Sequence, residues 1–437
     1  MRTGDILRQL REYESRNVTF LDADGSWPIV WDRARGVHVW DVEGRKYLDL
    51  TAAFGVAAAG HANASVVRAG QLQMRRLPHA MGDVHPHPLK ARLARELSGL
   101  TFERWGERRG GGGVKARRGK TIFCNSGFEA VEAALKTALL ATGRREVIAF
   151  RGAYHGLGYG TLNVTSRRHF REPFESQLGE FGRFVAFPTN LDQVDRMESA
   201  IRQILKRGKV GAIVVEPVQG RGGIRVPAHG FLELLRRCAS EHDALLVLDE
   251  IYTGFGRTGR WFACEHAGVI PDLICLGKAM TGGYPLSACV GRAELMDAAW
   301  PESEGEAIHT STFLGNPVGC AMALAQIGEI RFHRLWERSA KVGSVLQAGL
   351  RAIPLPGGFV SDVRGVGLMV GMELRQRDGL PATELVMRVI KGMLRAGFIL
   401  LPEGDAGEVI GFTPPLTITT AQVQRATGAL AKVLMAP

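Results

Sequence analysis

Four short stretches of this 437-residue chain place reactive side chains where a folded chain can present them. Asn125-Ser-Gly-Phe-Glu129 follows a β-rich run and opens a helical one. Ser126 Oγ and the backbone N–H groups of Gly127 and Phe128 would therefore face outward at a positive helix end. Physically that is a phosphate site, although the same residues also suit an ordinary N-cap. Tyr154-His155-Gly156 offers a ring that could stack on a planar ligand or simply fill a core. Asp249, followed by Glu250, closes the apolar run Leu245–Leu248. An acid there is where α/β sheets place ligand contacts, and also where a strand-ending acid commonly pairs with an arginine. Lys278 is reached from the apolar run Leu273–Leu276 through Gly277. In a site poor in water its amine would lose proton affinity and become nucleophilic; on a surface it would stay a solvated cation. In combination, a phosphate cradle, an aromatic plate, a strand-end acid and a strand-end lysine occur in that order on one sheet. That set is what pyridoxal phosphate needs.

Other signals carry less. Gly119-Lys-Thr121 invites a P-loop reading, but Gly113 is one residue too far and a strand follows where a helix should. The twelve histidines show no tight ligand spacing, so His61, His79, His85 and His87 read as structural and no metal site is expected.

The elements that must position these residues are visible as patterns. Thr121–Cys124 leads into a helical pattern over Phe128–Thr142. Val147–Phe150, Ala212–Val215, Leu245–Leu248, Leu273–Leu276 and Ala288–Val290 are continuous apolar runs, suited to strands buried on both faces of a mostly parallel sheet. A helix over Phe231–His242 falls between two of them. Near the start, Val37–Asp41 and Lys46–Asp49 flank a turn and read as a hairpin. Beyond a long helical stretch, Val318–Leu350, the pattern predicts a strand over Val370–Leu374 and helices over Glu384–Ala396 and Ala421–Met435. The expected architecture is α/β: a large domain over residues 61–326 with a mostly parallel sheet flanked by helices, and a smaller α+β domain over 327–437 joined by the segment 1–60. Arg108–Arg118, rich in Gly and Arg, reads as a solvated loop.

Composition narrows the class. With 45% apolar and 23% charged residues the chain has ample core, which excludes wholesale disorder. No apolar stretch approaches the roughly 18 residues of a membrane span, and Met1–Arg16 lacks the apolar region of a signal peptide. The net charge of +11 is spread along the chain without a nucleic-acid-binding pattern, so neither nucleic acid nor membrane is an expected partner. Six scattered cysteines fit reduced thiols in a cytoplasm better than a disulfide framework.

The sequence resembles the class III aminotransferases over nearly its whole length. The resemblance is carried by Tyr47–Leu50 with Gly60-His61, Ser126–Ala130, Tyr154–Gly156 and Glu216-Pro-Val-Gln-Gly220. It continues through Asp249–Gly259, Gly277–Ala279, His309–Phe313 with Gly315–Pro317, and Pro414-Pro-Leu416. It implies the type I fold of pyridoxal phosphate enzymes and a homodimer with shared active sites. Carried over by position, Lys278 would form the Schiff base with the cofactor and shuttle a proton. Asp249 would keep the pyridine nitrogen protonated, and Tyr154 would stack on the ring. Ser126, Gly127 and Phe128 would bind the phosphate together with Thr312 from the partner subunit. His155, Glu216 and Tyr252 would complete the cofactor contacts, with Phe54 and Arg221 facing substrate.

Three positions depart from the family pattern. Members that recognise an α-carboxylate usually carry Arg three positions before Pro-Pro-Leu, where this chain has Gly411. The same members usually carry Glu directly after Glu-Pro-x-Gln-Gly, where this chain has Arg221. Tyr252 replaces a common Gln, and its phenol is expected to donate the equivalent hydrogen bond to the cofactor. Arg221 is expected either to bind a substrate carboxylate or to point to solvent. The implied function is transamination between an amine or ω-amino substrate and a keto acid by a ping-pong route. Racemisation or epimerisation of an amino acid or lactam is the alternative on the same scaffold.

Overall fold

The computed structural model describes residues 2–19, 27–107 and 118–436. Nearly all of the Arg108–Arg118 segment therefore lies outside the described residues. The central feature is a seven-stranded sheet. Its order is Gly119–Cys124, Ser287–Arg292, Leu273–Leu276, Leu245–Asp249, Val210–Val215, Glu146–Phe150, Gly182–Val185. Neighbours are parallel from Leu273–Leu276 to Gly182–Val185, while Ser287–Arg292 runs antiparallel to both strands beside it.

The continuous apolar runs have a direct structural counterpart. Alternate residues of each central strand enter two separate cores: Ile148, Ile213, Leu246 and Ile274 pack on one face, Val147, Ala212, Val247 and Cys275 on the other. Side chains of a strand alternate between faces, so a strand covered on both sides must be apolar throughout. The helix Gly127–Thr142 covers the second face with a small-residue stripe that includes Ala130, Ala133, Ala134 and Ala138. The helix Phe231–Glu241 covers the first with Phe231, Leu234, Leu235 and Cys238.

The two ends of the chain share a smaller sheet. Trp31–Arg35, His38–Asp41 and Lys46–Asp49 form an antiparallel meander, and Lys46–Asp49 pairs parallel to Phe398–Ile399. A third, antiparallel sheet has the order Phe359–Val366, Met369–Gln376, Val409–Phe412, Leu401–Glu403. Helices Thr383–Arg395 and Thr420–Met435 pack nearby, each within a residue of its expected limits at most points.

Some elements differ from the sequence pattern. The long helical stretch is two helices, Pro317–Phe332 and Leu335–Arg351, because Arg334 takes a left-handed conformation with φ of 47° and turns the chain. The first of these helices runs through the 326/327 position. The strands Gly182–Val185 and Phe359–Val366 were not anticipated, since both sit at sheet edges and are half exposed, so neither presents an apolar run. Among the described residues no helix is long and apolar enough to cross a membrane. All six cysteines are buried and free.

Candidate active site

Five of the sequence-predicted residues stand at the carboxyl ends of strands in the large sheet, where the backbone turns out of the core and side chains can converge. Asp249 ends its strand, Glu216 directly follows Val210–Val215, and Ser126 follows Gly119–Cys124. Tyr154 comes after Glu146–Phe150 and Lys278 after Leu273–Leu276. Four of them, Tyr154, Glu216, Asp249 and Lys278, line a cavity of about 370 Å³ together with Gly127, Phe128, His155, Arg221, Ile251 and Tyr252, and Ser126 directly precedes its Gly127 edge.

Lys278 holds a left-handed backbone conformation with φ of 42°, unusual for a side-chain-bearing residue and worth about 1–3 kcal/mol of strain. Burial lowers its pKa, and the charges of Asp249, Glu216 and Glu403 pull part of the way back. Its Nζ lies 3.9 Å from the centre of the Tyr252 ring, a cation–π contact. Such an amine can give up its proton more readily than a surface lysine.

Asp249 is buried and held from two sides. Its Oδ1 accepts from Ile251 N at 3.1 Å, and its Oδ2 lies 2.8 Å from His155 Nδ1. Burial alone would lower the His155 pKa, but the bond to Asp249 and the charges of Asp249 and Glu216 outweigh it and leave it raised. His155 thus supports a buried acid from behind. Glu216 accepts from Tyr154 N at 3.0 Å and from Gly220 N at 2.9 Å, fixing the aromatic plate and the Gly220–Gly223 strap to one carboxylate. Burial, helped by Asp249, pushes its pKa up to about 7 against the opposing charge of His155.

At the expected phosphate cradle, Ser126 is the N-cap of Gly127–Thr142 in a capping box with Glu129, and the Glu129 side makes its hydrogen bonds. The Glu129 carboxylate accepts from Asn125 N at 2.8 Å and Ser126 N at 2.7 Å, anchoring the start of Gly127–Thr142. Ser126 Oγ is shielded and has no hydrogen-bond partner. Gly156 has φ of 104°, and a Cβ there would stand 2.2 Å from Phe128 Cβ, so only glycine lets the two loops close. An orphaned hydroxyl at a positive helix end, a half-buried ring, a buried acid and a half-buried amine fit a planar ring bearing a phosphate.

The other expected residues fall differently. Tyr252 lines the cavity with its ring, but its hydroxyl lies 3.1 Å from Thr413 Oγ1, and Thr413 Oγ1 donates onward to Thr51 O at 3.1 Å. Thr413 has one hydroxyl proton, so Tyr252 must be the donor in that pair, and its own proton is spent there. The phenol is thus engaged with Thr413 in this structure, while the ring stands beside Lys278 Nζ. Phe54 borders a neighbouring apolar cavity with Trp27, Trp31 and Leu401. It belongs to a left-handed turn, Ala52–Phe54, braced by Asp49, which accepts from Thr51 N at 2.8 Å and meets His61 Nε2 at 2.7 Å. Thr312 is exposed and outside this chain's cavity.

Arg221 lines the cavity with its side chain 28% exposed and is paired with an acid. Its Nη1 lies 3.5 Å from Oε2 of Glu403, a residue the sequence reading did not single out. Glu403 is buried, and burial pushes its pKa up to about 7 despite Arg221, Lys278 and Arg167. Nothing local in Leu401-Pro-Glu403 marks it; only the cross-strand geometry brings it to the site. Arg257 was also passed over inside its motif. It is fully buried and donates to Leu368 O at 3.0 Å and Pro414 O at 2.5 Å, tying the Asp249–Gly259 motif to the Pro414-Pro-Leu416 segment.

Known proteins resemble this chain over nearly its whole length. The family described as aminotransferase class-III matches residues 21–434. The chain is similar to the 5-aminovalerate aminotransferase of Pseudomonas aeruginosa, 39% identical over 93% of both chains. It is also similar to the 4-aminobutyrate aminotransferase of Escherichia coli, 36% identical over 91% of both. Among solved structures, it superimposes with a TM-score of 0.83 on the ornithine aminotransferase of Toxoplasma gondii described with partial occupancy of pyridoxal phosphate. The identity there is 27%, covering 99% of this chain and 94% of that one. The relatives are named as aminotransferases, and none of these resemblances favours a racemase.

Proposed function

This chain belongs to the class III aminotransferase family and is a pyridoxal phosphate-dependent aminotransferase of the type I fold, and we propose that it moves nitrogen from an amine or ω-amino donor to a keto acid by a ping-pong route at the Lys278–Asp249 cavity. The observation that carries the site is a half-buried lysine of lowered pKa sharing one cavity with a buried, histidine-backed aspartate. Ser126, Gly127 and Phe128 would hold the cofactor phosphate, Tyr154 and Ile251 would flank its ring, and Asp249 would meet its nitrogen. When bound, the cofactor supplies the electron sink that makes a substrate C–H acidic.

The chain's own residues do the remaining work. Lys278 anchors the cofactor and then carries the proton between two carbons, a task that suits an amine depleted of its proton by burial. Asp249 would meet the ring nitrogen and hold a proton there, and His155 positions Asp249 through their 2.8 Å contact. Glu216 sets the strap that carries Arg221. Thr312, outside this chain's cavity, would complete the phosphate site of a second copy, so the enzyme works as a homodimer. Six buried, unpaired cysteines support a reducing, cytoplasmic setting.

The relatives named for 5-aminovalerate and 4-aminobutyrate support a donor that presents a terminal primary amine. Mixing the holoenzyme with an amine and no acceptor tests the assignment. Cofactor absorbance should shift to that of pyridoxamine phosphate, and adding a keto acid should restore it. Racemisation of one enantiomer without such a shift would refute transfer.

A further inference from the structure

The Arg221–Glu403 pair has an asymmetry that the transfer chemistry does not use. Glu403 is the fixed half: its side chain is 4% exposed, against 28% for Arg221. Its Oε2 has no hydrogen bond, only the ion pair at 3.5 Å. Leaving a buried carboxylate oxygen without a hydrogen bond is costly, so this oxygen is a standing acceptor. Room for it is made by Gly411, where a Cβ would stand 3.0 Å from Glu403 Cγ. The loops that carry the two residues are joined by Gly404 N donating to Arg221 O at 3.1 Å, so the pair has a fixed backbone frame.

Arg221 lines the cavity and carries a long, partly solvated side chain, so it can withdraw to water; Glu403 cannot. What replaces Arg221 must then be a cation arriving from the cavity. An ammonium is compact, carries three donors and can approach Oε2 closely enough to hydrogen-bond. A carboxylate end group would gain Arg221 but would lie against Glu403 behind it. A neutral end group would leave the pair as it is.

We propose that Glu403, unmasked when Arg221 swings outward, is the subsite for the distal ammonium of the amine donor, so that the enzyme selects donors cationic at both ends. The inference rests on the aminotransferase reading of the same cavity and adds the charge of the donor's far end. The groups acting on Glu403 are Arg221, Lys278 and Arg167, which favour its charged form, and Glu216, which opposes it.

Three donors of one chain length test it: 1,5-diaminopentane, pentylamine and 5-aminopentanoate, each mixed with holoenzyme and followed by cofactor absorbance. The diamine should exceed pentylamine by about tenfold or more in kcat/KM, as expected for one buried charge partner. In Glu403→Gln that ratio should fall to near one, whereas Glu403→Asp, which keeps the charge, should retain part of it. A wild-type enzyme that prefers 5-aminopentanoate or shows no diamine advantage would overturn the subsite. So would a Glu403→Gln protein that slows all three donors by one factor, since that is a packing effect. Failure of every donor to convert the cofactor would sink the transfer reading itself, and the subsite with it; conversion of pentylamine alongside a flat ratio sinks only the subsite.

Discussion

The two ends of the cavity were built under different rules. At the cofactor end, Ser126, Tyr154, His155, Asp249 and Lys278 each leave the carboxyl end of a strand or its following loop, and one sheet sets their spacing. At the far end stands Arg221, on a strap after Val210–Val215, backed by Glu403 from the edge strand Leu401–Glu403 of a separate antiparallel sheet. On the proposed reading the first end serves a ligand whose shape does not vary, so the same residue types at the same spacing must recur. The second end serves whichever molecule is to be transformed, and its charges stand in an arrangement that the family pattern does not supply. A single cavity therefore has one half readable from motifs and another that must be seen folded.

The contrast can be broken most severely at Lys278. Lys278→Ala removes both anchor and proton carrier, and turnover should fall by about a thousandfold or more, near the upper range for general acid–base loss. A steady-state rate within tenfold of the parent would reject the role. Asp249→Asn comes next. Loss of the anion should cost several kcal/mol of charge stabilisation, about three decades in kcat, while cofactor is retained through its phosphate and visible by absorbance. Near-normal rates would move the role to another group.

His155→Gln should have a smaller effect, about ten- to a hundredfold in kcat, the worth of one hydrogen bond to a charged group. Because His155 acts through Asp249, the variant should also displace the pH dependence of the cofactor's absorbance; an unchanged titration would make the residue merely structural. At the other end, burial holds Glu403 near about 7, so its charge appears as pH rises through that value. The advantage of a doubly cationic donor over a monoamine should therefore grow from pH 6 to pH 8, and a ratio flat across that window would contradict the assignment. Gly411→Ala is the mildest change. Its Cβ would press on Glu403 Cγ at 3.0 Å, and donor preference should shift by about two- to fivefold with cofactor binding unaltered, in line with modest overpacking. Loss of cofactor in that variant would show that the two ends are not separable.

Legibility followed the same division. Strands such as Val210–Val215 and Leu245–Asp249 announced themselves because burial on two faces forces an apolar run. Gly182–Val185 and Phe359–Val366 did not, because half-exposed edge strands mix polar with apolar residues. The break at Arg334 was hidden since Arg is a good helix former and its left-handed φ is imposed by packing. Lys278 and Asp249 were legible as strand-end residues. The tie between the Tyr252 hydroxyl and Thr413 was not legible, because the Thr413–Thr51 chain is built from segments more than 150 residues away.

The amino-acid sequence alone determined the α/β class, the order of the central strands along the chain and the candidate cofactor residues, since these depend on local periodicity and on motifs read within a few positions. Tertiary structure alone decided the partner of Arg221. That pairing needs Gly220–Gly223 and Leu401–Glu403 to meet, and it needs Gly411 to leave room. Nothing in either segment specifies the other. A buried carboxylate gains its meaning from which cation reaches it, and reach is a property of the folded chain.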